Sequence, residues 1–197
     1  MEYAERVGGA TPDEAYEVSI GLIECSSIAQ GILVADSLLK HSPVELLWSR
    51  TISPGHHINL FTGEVEEVRE ALEAGLAAGA DTVVDDLFIP NLHSDVPKAM
   101  RGPRPLQLDA LAILEFQHIA PTILAADVAL KTADVQLVEL RLGMHLGGKG
   151  FFILTGGFSD VEDAAAAAAA VGHERRSLIR EVVIPRAADE LGRHLRP

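Results

Sequence analysis

The sequence predicts an α+β protein made of two tandem ferredoxin-like βαββαβ domains, each with an antiparallel-containing sheet and its helices mainly on one face. Three observations carry this. The chain repeats itself, each repeat alternates short apolar runs with segments of helical period, and each reads strand, helix, strand, strand, helix, strand, short helix.

The repetition is visible when "IGLIECSSIAQGILVADSLLKHSPVELLWSR", from Ile20, is set over "LAILEFQHIAPTILAADVALKTADVQLVELR", from Leu111. At an offset of 91, identities fall at Glu24/Glu115, Ile28/Ile119, Ile32/Ile123, Ala35/Ala126, Asp36/Asp127, Leu39/Leu130, Lys40/Lys131 and Arg50/Arg141. The offset grows to 93 at Thr62/Thr155, Gly63/Gly156 and Val68/Val161. It reaches 95 where "IPN" (Ile89 to Asn91) meets "IPR" (Ile184 to Arg186). A fixed order of identities marks a duplicated domain of roughly 85–90 residues, a size that folds alone only marginally. The expected layout is an N-terminal extension 1–17, a first domain 18–100, a linker 101–107 ("RGPRPLQ") and a second domain 108–197.

Within each repeat the elements follow in order. "VSIGLIEC" and "DALAILEF" are short apolar strands. Ile28, Ile32, Ala35 and Leu39, matched by Ile119, Ile123, Ala126 and Leu130, recur at helical spacing and give one apolar stripe per helix. "VELLWSRTI" and "INLFTG" form a strand pair, as do "VQLVELRLGM" and "GFFILTG", with Gly63 and Gly156 at their ends. A second helix starts at Glu64 and stops at Gly79, where a glycine favours termination. Its counterpart holds the run Ala164 to Ala170, a strong helix former whose small side chains suit close packing. "DTVVDDLFIP" and "RSLIREVVIP" are the last strands, each expected to stop at its proline, with a short helix beyond.

Composition narrows the function classes. A formal charge of −13 disfavours a general nucleic-acid binder and adhesion to an anionic membrane. The single Cys25 allows neither an intramolecular disulfide nor a multi-cysteine zinc site, and on an apolar strand it reads as a core residue. The N-terminus lacks the basic and apolar regions of a signal peptide, and no apolar run approaches the ~20 residues of a membrane span, so a cytoplasmic protein is expected.

Two segments stand out chemically. "TISPGHH" (Thr51 to His57) packs adjacent histidines into a turn and admits three readings: a plain exposed turn, a polar lining, or an adventitious metal ligand set. A catalytic base would need an oriented partner and a nucleophile, and none is in view, so no catalytic residue is expected. Its counterpart "LGGKG" (Leu146 to Gly150) lacks a Walker pattern and sits between strands. Lys40 and Lys131 are either solvated helix ends, paired with Asp36 and Asp127 four residues earlier, or contact residues.

The tandem unit, with "AAD…LK…V", a Gly-rich turn between paired strands and "IP(N/R)" after the last strand, resembles the bacterial microcompartment shell domain. The resemblance runs from about residue 18 to the C-terminus. "SRTISPG", "VVDDLFIPNLH", "LGGKGFFILTG" and "VVIPR" are most like the trimeric, unpermuted class with an iron–sulfur cluster at its pore in propanediol-utilisation compartments. It implies a homotrimeric, pseudohexameric disc that is structural rather than enzymatic, sits in the microcompartment shell, and tiles with hexameric and pentameric shell proteins. Ser53, Pro54, Gly55, His56, His57, Leu146, Gly147, Gly148 and Lys149 would then line a central pore for small polar or anionic metabolites. Lys40, Lys131, Asn91 and Arg186 would lie at disc edges. Ser53 stands where the cluster-bearing relatives have a cysteine, and a hydroxyl is a poor iron–sulfur ligand, so no cofactor or resident metal is expected. A redox tile with a metal centre on the axis, and a trimeric nucleotide-binding signalling protein, are the alternatives; the chain has no loop long enough for the second.

Overall fold

The computed structural model describes residues 18–102, 109–188, 190, 191 and 195. The expected extension 1–17, and the expected linker beyond Gly102, lie outside these residues. The chain divides into two compact units: one holds the first repeat up to Arg50 and from His57 to Ser94, the other Thr51–His56 and the chain from Asp95 onward.

In the first repeat the order is β1 (Val18–Cys25), α1 (Ile28–His41), β2 (Glu45–Ile52), β3 (His56–Gly63), α2 (Val65–Gly79) and β4 (Val83–Leu92). The sheet runs β2-β3-β1-β4, with β1 antiparallel to both neighbours and Cys25 opposite His57. Ser27 caps α1 by accepting from the Gln30 amide, and Glu64 with Glu67 forms a capping box on α2, so orphan amides at both helix starts find acceptors. The two helices pack on one sheet face over Ile23, Val34, Leu38, Phe61, Val68 and Ala71.

The second repeat follows a short helix α3 (Asp95–Met100). It contains β5 (Ala110–Phe116), α4 (Ile119–Thr132), β6 (Val135–Leu142), β7 (Gly150–Gly156), α5 (Phe158–Glu174) and β8 (Leu178–Ile184), with sheet order β6-β7-β5-β8. The poly-alanine run buries Ala164, Ala165, Ala168 and Ala169 where α5 packs against α4, as its lack of bulk requires. Leu111, Val138 and Ile153 form a further cluster with Ala187, Leu191 and Leu195. Among the described residues no helix is long and apolar enough to cross a membrane.

Three expectations change. The α1 stripe is not the core face: the helix buries Gly31, Val34, Ala35 and Leu38, while Ile28, Ile32 and Leu39 are 40%, 57% and 46% exposed. Their counterparts Ile119, Ile123 and Leu130 are 0%, 0% and 7% exposed in the second unit, where α3 packs on α4 and β6. Second, β4 does not stop at Pro90 but continues to Leu92; as an edge strand it tolerates a residue without an amide donor, and its pairing with β1 shifts register there. Third, α2 does stop at Gly79 as expected, but for a different reason: Gly79 is its last helical residue with ordinary dihedrals, and the left-handed position falls on Ala80 (φ 48°). Gly79 is small because a Cβ there would meet Val83 at 2.5 Å.

Lys40 and Lys131 both pair with the aspartate four residues earlier, at 2.7 Å. The pairs differ in burial. Asp36 is exposed and Asp127 is buried. Lys131→Ala withdraws an ammonium from a buried carboxylate and should cost about 1.5–3 kcal/mol, the range for a hydrogen bond to a charged group. Lys40→Ala should stay within about 0.5 kcal/mol, as for exposed pairs. Urea unfolding of both variants at neutral pH measures the difference; equal losses would contradict the ranking.

Candidate functional site

The two inter-strand turns carry the residues singled out in the sequence. In the first, Ile52 is the last residue of β2, Ser53, Pro54 and Gly55 are exposed, and the Gly55 amide donates to the Ile52 carbonyl at 2.9 Å. The Ser53–Pro54 peptide is cis, and Gly55 has φ 110°, a conformation that suits glycine. The second turn, Gly143 to Lys149, is closed by the Gly143 amide on the Lys149 carbonyl, again at 2.9 Å. Four of its residues, Gly143, His145, Gly147 and Gly148, have positive φ.

The turns meet within the second unit, to which Thr51–His56 belongs. A Cβ on Gly148 would come within 2.8 Å of the Ser53 carbonyl oxygen, and one on Gly143 within 3.2 Å of Ile52 and 2.9 Å of Ile119. Glycine at 143 and 148 is thus what lets the Ser53 turn approach so closely. Ser53, Pro54, Gly55, Gly147 and Lys149 are exposed, and His56 and Leu146 are half-buried.

Two of the expected lining residues have their side chains otherwise engaged, and a third is covered. His57 lies on β3, not in the turn, and is 4% exposed; its ring packs on Gly31 of α1, with Nε2 3.0 Å from Ser49 Oγ. Lys149 Nζ lies 3.0 Å from Glu115 Oε1, so its charge is paired. Gly148 is buried by the contact with Ser53. Conversely, Met144 and His145, both exposed on the second turn, were not singled out in the sequence. The signal was present: the offset between repeats grows by two across this turn, which marks it as the longer one.

Burial pushes the His57 imidazole below its ordinary value, an interaction with Asn59 acting weakly against that. Cys25 is fully buried at the end of β1, away from either turn in sequence. Burial pushes its thiol up; a hydrogen bond with Thr82 opposes the shift and the Glu24 charge adds to it. Among the described residues no group of three or more His, Cys, Asp or Glu side chains is placed to hold a metal within one chain.

Two four-stranded antiparallel sheets of this order, in tandem, match the BMC domain at residues 19–92 and 110–187. The chain therefore belongs to the bacterial microcompartment shell-protein family and carries its domain twice. It is 35% identical over 178 residues to the bacterial microcompartment shell protein PduT of Citrobacter freundii, covering 90% of this chain and 97% of that one. A crystal structure of a microcompartment protein from Desulfitobacterium hafniense is 42% identical, with a TM-score of 0.81 over 90% of this chain and 99% of that chain. A fused permuted hexameric shell protein of the RMM microcompartment is 25% identical, with a TM-score of 0.60 over 80% and 82%. These relationships give the chain a structural role in a microcompartment shell.

The raised thiol and its burial make Cys25 inert. In the native protein at pH 8 it should react with a maleimide at least about a hundredfold more slowly than in urea, because the thiolate is the nucleophile and is both scarce and enclosed. One equivalent should react on unfolding, matching the single cysteine. Rapid labelling of the folded protein would contradict this placement.

Proposed function

We propose that three copies of this chain close into a pseudohexameric disc, a structural shell tile without enzymatic activity, with the turns around Ser53 and Leu146–Gly147 lining its central opening. The observation that carries the reading is the contrast between α1 and α4. The same apolar stripe is written twice, yet it is covered in the second unit and bare in the first. Ile28, Ile32 and Leu39 are each about half exposed, so covering them would stabilise an assembly by roughly half the full-burial value, about 1 kcal/mol each. A second copy suits this role because Met144 and His145 are exposed on the second turn. Each chain would offer one bare helix face and the exposed tip of its second turn, which is a heterologous contact that closes into a ring.

In this reading, 18–100 and 108–197 are the two halves of each chain's contribution, and small polar metabolites pass between the turns. Because Lys149 is paired with Glu115, polarity from His56, Ser53 and the glycine amides, rather than a net positive charge, is the property given to the opening. Lys40, Lys131, Asn91 and Arg186 are assigned to the disc edge, where hexameric and pentameric shell proteins would meet it; Asn91 and Arg186 are exposed.

Sedimentation should give about 63 kDa, three chains of 21.0 kDa each. Ile32→Glu, on an exposed helical position, should release monomers with unchanged circular dichroism. Trimers of undiminished stability in that variant would remove α1 from the interface, and a wild-type monomer at micromolar concentration would defeat the ring. The axial placement has its own test. Ser53→Cys should bring three thiolates together and yield a brown protein on reconstitution with iron and sulfide. A colourless, fully reduced trimer would place the turn off the axis.

A further inference from the structure

At the start of β3, next in sequence to the first turn, lies a buried polar cluster that has no equivalent in the second repeat. Its members are His57, Ser49 and Asn59, set against Gly31 of α1. Asn59 is fully buried and donates from Nδ2 to the Gly31 carbonyl at 2.8 Å. His57 Nε2 shares a hydrogen bond with Ser49 Oγ. Two buried atoms, His57 Nδ1 and Asn59 Oδ1, make no well-formed hydrogen bond, although Asn59 lies close enough to favour a proton on the ring. The ring is wedged so tightly that a Cβ on Gly31 would lie within 2.5 Å of His57 Cβ.

In the second repeat the matching positions are Leu140, Gly150, Phe152 and Thr122. There Phe152 stacks on Phe116 with ring centroids 5.7 Å apart, and Thr122 fills the space over Gly150. The second repeat thus solves the same packing problem without a titratable group. Evolution of a buried polar cluster is costly unless every polar atom is satisfied, and this one leaves two open.

Neutral imidazole fits this site. A second ring proton would add a charge in a buried place. The groups that face the ring are Ser49 from β2, Asn59 from β3, Cys25 opposite it on β1, and the Gly31 backbone from α1. None of these is a carboxylate. Asn59 Oδ1 can accept from a protonated Nδ1, but an amide oxygen does not neutralise the charge. Opening the site to water does.

We infer that the His57–Ser49–Asn59 cluster is a proton-sensitive latch on the Ser53 turn: neutral His57 holds β3 against α1, and protonation releases the turn that β3 begins from. The latch acts on one turn of each chain only, because Gly150 cannot titrate. It rests on the proposed opening for its biological meaning, but not for its operation in a single chain. The sign follows from burial. A ring whose folded value is depressed binds its proton more readily when exposed, so acid favours the open form; the latch weakens as pH falls from the ordinary imidazole value, about 6.5, toward the lowered one.

Amide hydrogen exchange tests this, with rates at each pH between 8 and 5 converted to protection factors. Protection of Thr51–His56 should fall severalfold through that window, and by more than that of Gly143–Lys149, where only the residues that the first turn covers should respond. Fluorescence of Trp48, the chain's single tryptophan and the neighbour of Ser49, should change over the same window. His57→Gln should flatten both responses, and Asn59→Asp, whose carboxylate would neutralise the imidazolium in the closed site, should weaken or reverse them. Equal loss of protection in both turns, or an undiminished response in His57→Gln, overturns the latch. If His57→Gln fails to fold, an NMR titration of His57 in the wild type decides: a ring that takes its proton with no change in the turn overturns it as well. Sedimentation at each pH separates the two readings, since absence of trimers defeats the ring but leaves the turn's response readable in the single chain.

Discussion

A four-stranded sheet with two helices on one face cannot cover itself, and this constraint organises the whole molecule. Each repeat has only two helices long enough to shield a sheet, and both lie on the same side. Whatever covers the remaining apolar surface must come from outside the βαββαβ unit. In the second unit it comes partly from the C-terminal residues Ala187, Leu191 and Leu195, which pack with Leu111, Val138 and Ile153, and partly from α3 on α4 and β6. The first helix of the first repeat has the same stripe and no such cover among the described residues. Duplication has given both first helices the same stripe, which among the described residues is covered on α4 and bare on α1.

The repeats also show how duplicated cores diverge without losing their packing. Gly31 faces His57 in one, and Thr122 faces Gly150 in the other, so the large and small partners have changed places across the same contact. Neither change is tolerable alone: a Cβ on Gly31 strikes His57 at 2.5 Å, and one on Gly150 strikes Thr122 at 2.3 Å. Close-packed interiors transmit such changes to their neighbours. Hence Cys25 and Asn59 accompany His57, whereas Phe116 and Phe152 stack beside Gly150. One end of the first repeat became polar inside, and the corresponding end of the second became aromatic.

The fold was largely legible because it was written twice. Identities at matched offsets aligned the strands and helices, and the Gly63/Gly156 pair located two strand ends that the structure places there. The α1 face was misread for a physical reason. Ile28, Ile32 and Leu39 satisfy helical period as well as Val34 and Leu38 do, and periodicity reports which residues avoid water, not which neighbour covers them. Pro90 misled for a different reason, since only the sheet order reveals that β4 is an edge. In the turns, the residue types of "TISPGHH" were informative but their direction was not. His56 and His57 are adjacent, and strand alternation sends one toward the turn's surface and the other into the helix face.

That alternation carries a consequence for how a symmetric opening can be controlled. Six similar turns around one axis would respond alike if their supports were alike. Two turns fused in one chain need not. The second is held by glycine backbone geometry and by a Lys149–Glu115 pair at the end of β5, neither of which lies in its core. The first runs into β3 at His57, whose burial pushes its imidazole below the ordinary value. A duplicated chain can therefore keep one set of turns fixed by packing while leaving the alternate set sensitive to a proton, which a ring of identical single domains could do only by making every turn sensitive at once.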